Sequence, residues 1–279
     1  MTLHSEICSS TPRDLIGVNL CEILSNAPVN GDYNLMVLHA TQTALQAEAG
    51  QFFHLECPGT VAGTPFLRRP MSIYRIDRDK GQIAFLYKVQ GKGTHALAQL
   101  KAGEYLNALG PFGKGFTLPQ DCRHVLAVGR GVGLATLGPL AQEAAARGAK
   151  ITAILSARSP DLVMSQEEFT RFGARVLVVT DSDGSSDPAR MAAMIADLHA
   201  EDPFDYAATC GSNRLFKLLK SFSAEAGIAG EVALEARMGC GTGMCYACVA
   251  PMQNADGSIR YDRVCWDGPV FSFAEATQW

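Results

Sequence analysis

No run of lysine or arginine long enough to grip nucleic acid occurs in the chain, whose formal charge is −4 with a pI near 5.9. A nucleic-acid partner is therefore not expected. No apolar stretch approaches the roughly 18 residues a membrane helix needs, so no membrane span is expected. The opening MTLHSEICSSTPRD has no basic segment followed by an apolar one, and no secretion signal is read there. These absences point to the cytoplasm. There is no low-complexity tract and no internal repeat, which excludes a repeat array. Charged residues make up only 19% against 47% hydrophobic, a globular balance that excludes disorder.

What the chain does have is cysteine, nine in all, an odd number that fits no complete disulfide framework. In a reducing compartment a dense group of cysteines more often means metal. The length of 279 residues exceeds one typical core and implies two or three domains.

Up to about residue 119 the pattern is one of short strands. NLMVLHA (34–40), QFFHLEC (51–57), MSIYRID (71–77), QIAFLYKV (82–89) and EYLNALG (104–110) are separated by Gly, Pro, Asn and Asp, with one helix in GTHALAQLKAG (93–103). Strands at this spacing predict a small antiparallel β-barrel over 1–119. From about 122 the rhythm changes. The strands HVLAVG (124–129), KITAILSAR (150–158), ARVLVVTD (174–181) and DYAATCG (205–211) alternate with apolar-periodic helices, which predicts parallel βαβ units over 120–229. Past Gly230 the regular pattern fades into a Cys- and Gly-rich tail, a small third domain over 230–279. The fold class expected is thus mixed, all-β followed by α/β.

Cys240, Cys245 and Cys248 read C-x4-C-x2-C, and Cys265 follows after sixteen residues. That opening is the plant-type spacing for a [2Fe–2S] cluster, in which four thiolates hold two irons. Gly239, Gly241 and Gly243 suit a loop wrapped tightly round such a cluster, since glycine takes positive φ and brings backbone N–H groups to the sulfurs. Zinc is the rival, but its sites more often show two C-x2-C pairs, and only one is present here.

Such a cluster passes one electron at a time and transforms no substrate, so something must feed it. RRPMSIY (68–74) suggests a flavin site, with Arg69 as a planar fork for a pyrophosphate and Ser72 at the isoalloxazine edge. Gly93 and Thr94 of GKGTHAL (91–97) stand at a helix N-terminus, which favours phosphate, or else form an ordinary turn and cap. VGRGVG (128–133) joins a strand to a helix, where a dinucleotide pyrophosphate is cradled. It is short of the full G-x-G-x-x-G fingerprint and reads equally as a tight turn. Cys210 in TCGSNRL (209–215) ends a later strand, at the sheet edge where α/β folds bind ligands. It is either a buried small residue or a contact beside the nicotinamide.

Taken in order, R-P-x-S, G-K-G-T, GPFGKGF (110–116), G-x-G-x-G, C-G and the four cysteines resemble the ferredoxin–NADP reductase superfamily. Within it they are most similar to the electron-transfer subunits of class B dihydroorotate dehydrogenase. EARMGCGTGMCYACVAPM (235–252) followed by VCWDGPVF (264–271) carries most of that likeness, which spans about Leu15 to Phe271. The resemblance implies that Arg69, Pro70, Met71 and Ser72 hold FAD, that Leu86, Tyr87 and Lys88 line its adenine or ribose side, and that Gly93 and Thr94 hold its pyrophosphate. It implies NAD against Gly129, Gly131 and Gly133, with Ser72 and Cys210 nearest the hydride transfer. It also implies a separate FMN-containing dehydrogenase subunit as partner, in a heterotetramer of two of each, serving pyrimidine biosynthesis. Electrons would run from that FMN through the cluster to FAD and then as hydride to NAD. Arg130 stands where that family usually has a glycine, and TDSDGSSD (180–187) replaces its TDDGS stretch without the Gly-rich segment that follows. The expectation is weakened nicotinamide binding, with NAD favoured over NADP.

No part of the chain reads as a pyrimidine site with its own base, so the substrate chemistry belongs to another chain. The alternatives are an NAD(P)H-dependent flavin and iron–sulfur reductase, stand-alone or serving another complex, and a redox-sensing module without turnover. An exposed apolar face around Trp266, Pro269 and Phe271 would favour the subunit reading.

Overall fold

The computed structural model describes residues 16–59 and 65–277; the segment read for a secretion signal lies outside them. Seven strands form one antiparallel sheet: β1 (Gly17–Pro28), β2 (Tyr33–His39), β3 (Phe52–Leu55), β4 (Arg69–Ser72), β5 (Arg75–Asp77), β6 (Gln82–Lys88) and β7 (Tyr105–Phe112). Their order is β4-β3-β7-β1-β2-β6-β5. Hydrogen bonds from Ile73 N to Gln51 O (3.3 Å) and from Tyr74 N to Ala84 O (2.8 Å) draw the two ends together. The expected barrel is therefore a curled half-barrel. Inside it Phe53, Leu55, Phe85 and Tyr87 pack with Leu97 of α2 (Gly91–Ala98). The sequence pattern does not announce β1 or the short helix α1 (Gln42–Leu45).

The second layer is the expected parallel sheet: β8 (His124–Arg130), β9 (Lys150–Ala157), β10 (Arg175–Thr180), β11 (Tyr206–Cys210) and β12 (Ala229–Ala233), ordered β10-β9-β8-β11-β12. Between them run α3 (Gly133–Ala146), α4 (Gln166–Arg171), α5 (Pro188–Glu201) and α6 (Asn213–Ala226). The chain enters at β8, winds outward through β9 and β10, then returns to β11 on the other side. The β8/β11 boundary is thus the switch point, where ligands bind at the carboxyl ends of the strands.

The tail is more regular than its composition suggests. The 229/230 division falls within β12. The chain then leaves the sheet through the cysteine segment, forms a hairpin of β13 (Val249–Gln253) and β14 (Ile259–Arg263), and returns as β15 (Val270–Ser272), antiparallel to β12. Pro269 and Phe271 are buried and Trp266 packs against the core, so the apolar face anticipated there is internal. The large apolar side chains that are exposed near the cysteines are Met244, Tyr246, Val249, Ile259 and Tyr261.

Close contacts lock the layers together. Arg75 binds buried Glu168 of α4 through Nε–Oε1 (2.7 Å) and a second, shorter contact from Nη2 to Oε2. A Cβ on Gly138 of α3 would stand 2.6 Å from the Tyr74 carbonyl oxygen. Lys114 N donates to Gly268 O (2.6 Å), tying the end of the half-barrel to the cysteine segment. Among the described residues no helix is long and apolar enough to cross a membrane.

Candidate flavin, nicotinamide and iron–sulfur sites

Where the half-barrel meets the parallel sheet there is a cleft of about 330 Å³. Arg69, Pro70, Met71 and Ser72 supply one wall, Leu86, Lys88 and Thr94 another, and Leu234, Glu235, Ala236 and Met238 a third. β4 delivers the first group because it pairs with β3, setting Ser72 opposite Phe52. The Arg69 guanidinium lies over the first turn of α2: a Cβ on Gly93 would stand 2.6–2.8 Å from its Nε, Cζ and Nη2. Glycine at 93 lets that guanidinium lie directly on the helix backbone. A cation and a helix N-terminus thus converge on one spot, the physical requirement for an anionic pyrophosphate. Thr94 also closes its own helix, accepting from Gln90 N (2.7 Å) and donating to Gln90 O. Tyr87 does not reach the cleft. It points into the half-barrel core, where its hydroxyl donates to Asn26 Oδ1 (2.8 Å), because alternation along β6 turns it away from the face of Leu86 and Lys88.

A smaller, polar cleft of about 200 Å³ adjoins the first at the switch point. Gly131 and Gly211 line it with Arg130, Val132, Lys88 and Arg158. At Gly211 φ is +98° and a Cβ would lie 2.2 Å from the Arg130 carbonyl oxygen, so this turn admits only glycine. Gly129 and Gly133 do other work than facing a dinucleotide. A Cβ on Gly133 would strike the Cys210 carbonyl at 2.5 Å, and one on Gly129 the Leu134 side chain at 2.7 Å. They let α3 settle against the ends of β8 and β11. Cys210 takes the first of its two readings: it is buried, with its Sγ 3.7 Å from Thr136 Oγ1. Burial pushes its thiol well above the usual range. The backbone of Gly211, not the Cys210 thiol, meets the cleft.

Arg130 is neither solvated nor free. Its Nη2 pairs with Asp181 Oδ2 (2.5 Å) and its Nη1 donates to Ser156 Oγ (2.9 Å) and Asp181 Oδ1 (3.2 Å). Arg214 reaches the same carboxylate at 3.4 Å. Hydrogen bonds from Arg130 and Ser186 hold the Asp181 pKa down to about 2. Glu235 is shared by both clefts. Its side chain is exposed where it borders the clefts, and the protein around them desolvates its carboxyl enough to raise its pKa. Asp181 lies in TDSDGSSD (180–187) and Glu235 opens EARMGCGTGMCYACVAPM (235–252), but nothing in either segment singles out that residue. The ion pairs of Asp181 and the place of Glu235 between the two clefts arise only in the folded chain.

The four cysteines come as two pairs. Cys245 N and Thr242 N each lie 3.4 Å from Cys240 Sγ, and Cys240 N is 3.4 Å from Cys245 Sγ. Cys265 N likewise points at Cys248 Sγ (3.4 Å). Burial raises the Cys240 pKa, but the donors at Thr242 and Cys245 outweigh it and bring the thiol down to about 6. Burial and the neighbouring Cys248 push Cys265 up to about 12. Among the described residues no group of three or more His, Cys, Asp or Glu side chains gathers closely enough to hold one metal ion. The two-by-two arrangement, with backbone donors aimed at the sulfurs and φ of +73° and +77° at Gly241 and Gly243, suits a donor set of two thiolates per iron. A Cβ on Gly239 would press on Cys245 Sγ at 3.0 Å.

Comparison with known proteins agrees with this geometry. Residues 235–277 match the iron–sulfur cluster binding domain of dihydroorotate dehydrogenase B, and residues 21–116 match an oxidoreductase FAD-binding domain. The dihydroorotate dehydrogenase B (NAD(+)) electron transfer subunit of Desulforamulus reducens is 38% identical over 241 residues, 85% of this chain and 89% of the relative. That of Bacillus cereus strain B4264 is 35% identical over 265 residues, 94% and 97% of the two chains. Among solved structures, the NADH-dependent reduced ferredoxin-NADP oxidoreductase, described for flavin-based electron bifurcation, aligns with a TM-score of 0.75. It is 29% identical and covers 92% of this chain and 89% of that one. An intact type IV self-sufficient cytochrome P450 monooxygenase aligns at 0.63 over 93% of this chain and 40% of its own, with 17% identity, a likeness of fold alone. With identities of 35–38% over most of its length, this chain belongs to the family of dihydroorotate dehydrogenase B electron transfer subunits.

Proposed function

We propose that the chain relays electrons between a dihydroorotate-oxidising FMN subunit and NAD, holding FAD in the larger cleft and a [2Fe–2S] cluster on Cys240, Cys245, Cys248 and Cys265. The observation that carries this reading is continuity. Leu234, Glu235, Ala236 and Met238, which wall the flavin cleft, lead within two residues to Cys240, and Pro269 closes the same cleft four residues after Cys265. One segment therefore serves both centres.

When bound, FAD supplies the conversion between hydride transfer and single-electron transfer, and the cluster carries one electron at a time. Arg69 and the first turn of α2 fix the pyrophosphate. Ser72 offers its hydroxyl to the ring edge, while Phe52, Met71, Leu86 and Ala135 keep water from it. Gly131 and Gly211 let the dinucleotide backbone approach the switch point, and Val132 touches both clefts. The exposed Met244 and Tyr246 beside the cysteines give the partner subunit an apolar surface to bury, in an assembly of two copies of each chain. In this scheme residues to about 119 serve the flavin, residues 120 to Ala233 the nicotinamide, and the remainder the cluster.

Anaerobic mixing with NADH is the test. The purified chain should carry one FAD and two irons, and NADH should bleach the flavin faster than NADPH. A chain that binds flavin and iron but is bleached by neither nucleotide would end the NAD assignment. Co-purification with an FMN protein that oxidises dihydroorotate would fix the partner, and its absence would favour a stand-alone reductase.

A further inference from the structure

We infer that His54 is a positioning residue for the iron–sulfur centre: on the outer face of β3 its Nε2, which has no protein hydrogen-bond partner among the described residues, faces the Gly241 turn and would donate to a sulfur of the bound cluster, and so raise the cluster's reduction potential. The inference rests on the cluster assignment proposed above.

Alternation along β3 turns Phe53 and Leu55 into the half-barrel and leaves Phe52 and His54 on the opposite face. On that face the cysteine segment is seated. His54 is 1% exposed. Its ring stands 5.7 Å from Phe52 and 5.6 Å from Phe112, and it meets the backbone of Gly241, where a Cβ would lie 2.7 Å from Nε2, 2.9 Å from Cε1 and 3.0 Å from Cδ2. Among the described residues Nε2 is buried without a hydrogen-bond partner. A nitrogen in that position is unfavourable, and a phenyl ring would fill the same space without it. The nitrogen needs an acceptor or donor on the loop side, and the loop next to it is the one that carries Cys240 and Cys245. Burial and the nearby Arg68 hold His54 to a pKa of about 4, so the ring is neutral and carries a single N–H, which we place on Nε2, facing the loop. Hydrogen bonds to cluster sulfurs and exclusion of solvent set the potential of such centres, and a donor favours the more negative, reduced form. Phe52, two residues away on the same strand, lines the flavin cleft. β3 thus lines the flavin cleft with Phe52 and touches the cysteine loop with His54, and a shift in the cluster's potential would bias the electron equilibrium between the two centres.

The experiment is an EPR-monitored redox titration of the complex purified with its partner, comparing wild type, His54→Phe and His54→Gln, with iron content measured in parallel. His54→Phe keeps the ring volume and should retain two irons per chain. Its reduction equilibrium should fall about tenfold, ~59 mV for a one-electron couple, while His54→Gln recovers part of the shift. An unchanged potential in His54→Phe overturns the inference and leaves His54 as packing. If His54→Phe fails to fold, wild type labelled with ¹⁵N-histidine decides: pulsed EPR of the reduced cluster should show a weak ¹⁵N coupling that is lost in His54→Gln, and no coupling overturns the inference. Wild type without iron would instead refute the cluster assignment itself.

Discussion

Replacing Gly241 by alanine should unseat the cysteine segment, and the structure supplies both contributions to the cost. The first is conformational. Gly241 has φ +73°, a left-handed backbone that an L-residue adopts at a cost of about 1–2 kcal/mol. The second is steric. The new methyl would lie 2.7–3.0 Å from three atoms of the His54 ring, which cannot retreat because Phe52 and Phe112 flank it. Overpacking of that kind costs about 1–3 kcal/mol. The sum, about 2–5 kcal/mol, is a large part of a typical folding stability of roughly 5–15 kcal/mol. Gly227→Ala is the internal control. Its φ is +66° with nothing within 4 Å of a Cβ, so it should bear only the conformational contribution. Iron per chain, visible absorption and thermal midpoint would be measured for both. Gly241→Ala should lose iron and destabilise well beyond Gly227→Ala, and the added change His54→Ala should recover the steric part, a coupling of about 0.5–3 kcal/mol. If Gly241→Ala matches Gly227→Ala in iron and midpoint, the packing argument at the loop is wrong.

Arg69→Ala should weaken FAD binding by about 1.5–3 kcal/mol, the range for a hydrogen bond to a charged group, as read by flavin-fluorescence titration; unaltered affinity would remove Arg69 from the site. Asp181→Asn should release Arg130 and Arg214 from their shared carboxylate and shift the NADPH-to-NADH ratio of flavin bleaching upward by roughly tenfold, about 1.4 kcal/mol. A constant ratio would show that these cations do not face the ribose end of the dinucleotide. His124 is buried against Phe204 and bonded to Thr152 Oγ1 (3.0 Å), near Asp202, Asp205 and Lys150. Burial lowers its pKa, so below about pH 6.5 the unfolded chain takes up the proton first and stability falls with pH. Urea unfolding should show that fall shrink in His124→Gln, and an equal slope in both proteins would exclude His124 as its source. Native Cys210 should resist alkylation while unfolded chain reacts, since burial keeps its thiol protonated; mass spectrometry of labelled protein checks it.

The parallel sheet was legible because its strands β8, β9 and β11 are buried on both faces and read as continuous apolar runs, as HVLAVG does over β8. β1 was not, because its pattern is inverted. Val18 and Leu20 are exposed while Asn19 is buried, its Nδ2 donating to Ala108 O (3.1 Å) and Gly110 O (3.0 Å) and its Oδ1 accepting from Thr41. A polar side chain that completes backbone hydrogen bonds across the sheet looks, in sequence, like a break. The tail misled for a different reason: β12 and β15 are only five and three residues long, too short to carry a pattern. It is the pairing of Glu231, Val232 and Ala233 with Ser272, Phe271 and Val270 that shows the segment returning to the sheet.

The sites divide along a similar line. Arg69 with Gly93, and the four cysteines, could be proposed from sequence because each lies in a short motif whose spacing reflects one loop or one helix end, and the structure brings Arg69 to Gly93 and the cysteines into pairs. Asp181, Glu235 and His54 could not, since the contact or cleft that singles each out forms only in the folded chain. Arg130 reaches Asp181 across fifty-one positions. The same distance hides the partner of Arg130: in sequence it is a cation in place of a glycine, whereas the folded chain sets Asp181 against it. The ion pair leaves the cleft less cationic than its composition implies. A 2′-phosphate would have to compete with a carboxylate already engaged by two arginines, while an unphosphorylated ribose faces no such competition. On the proposed nicotinamide site, discrimination between the two nucleotides would therefore rest on Asp181, a residue that no glycine fingerprint contains.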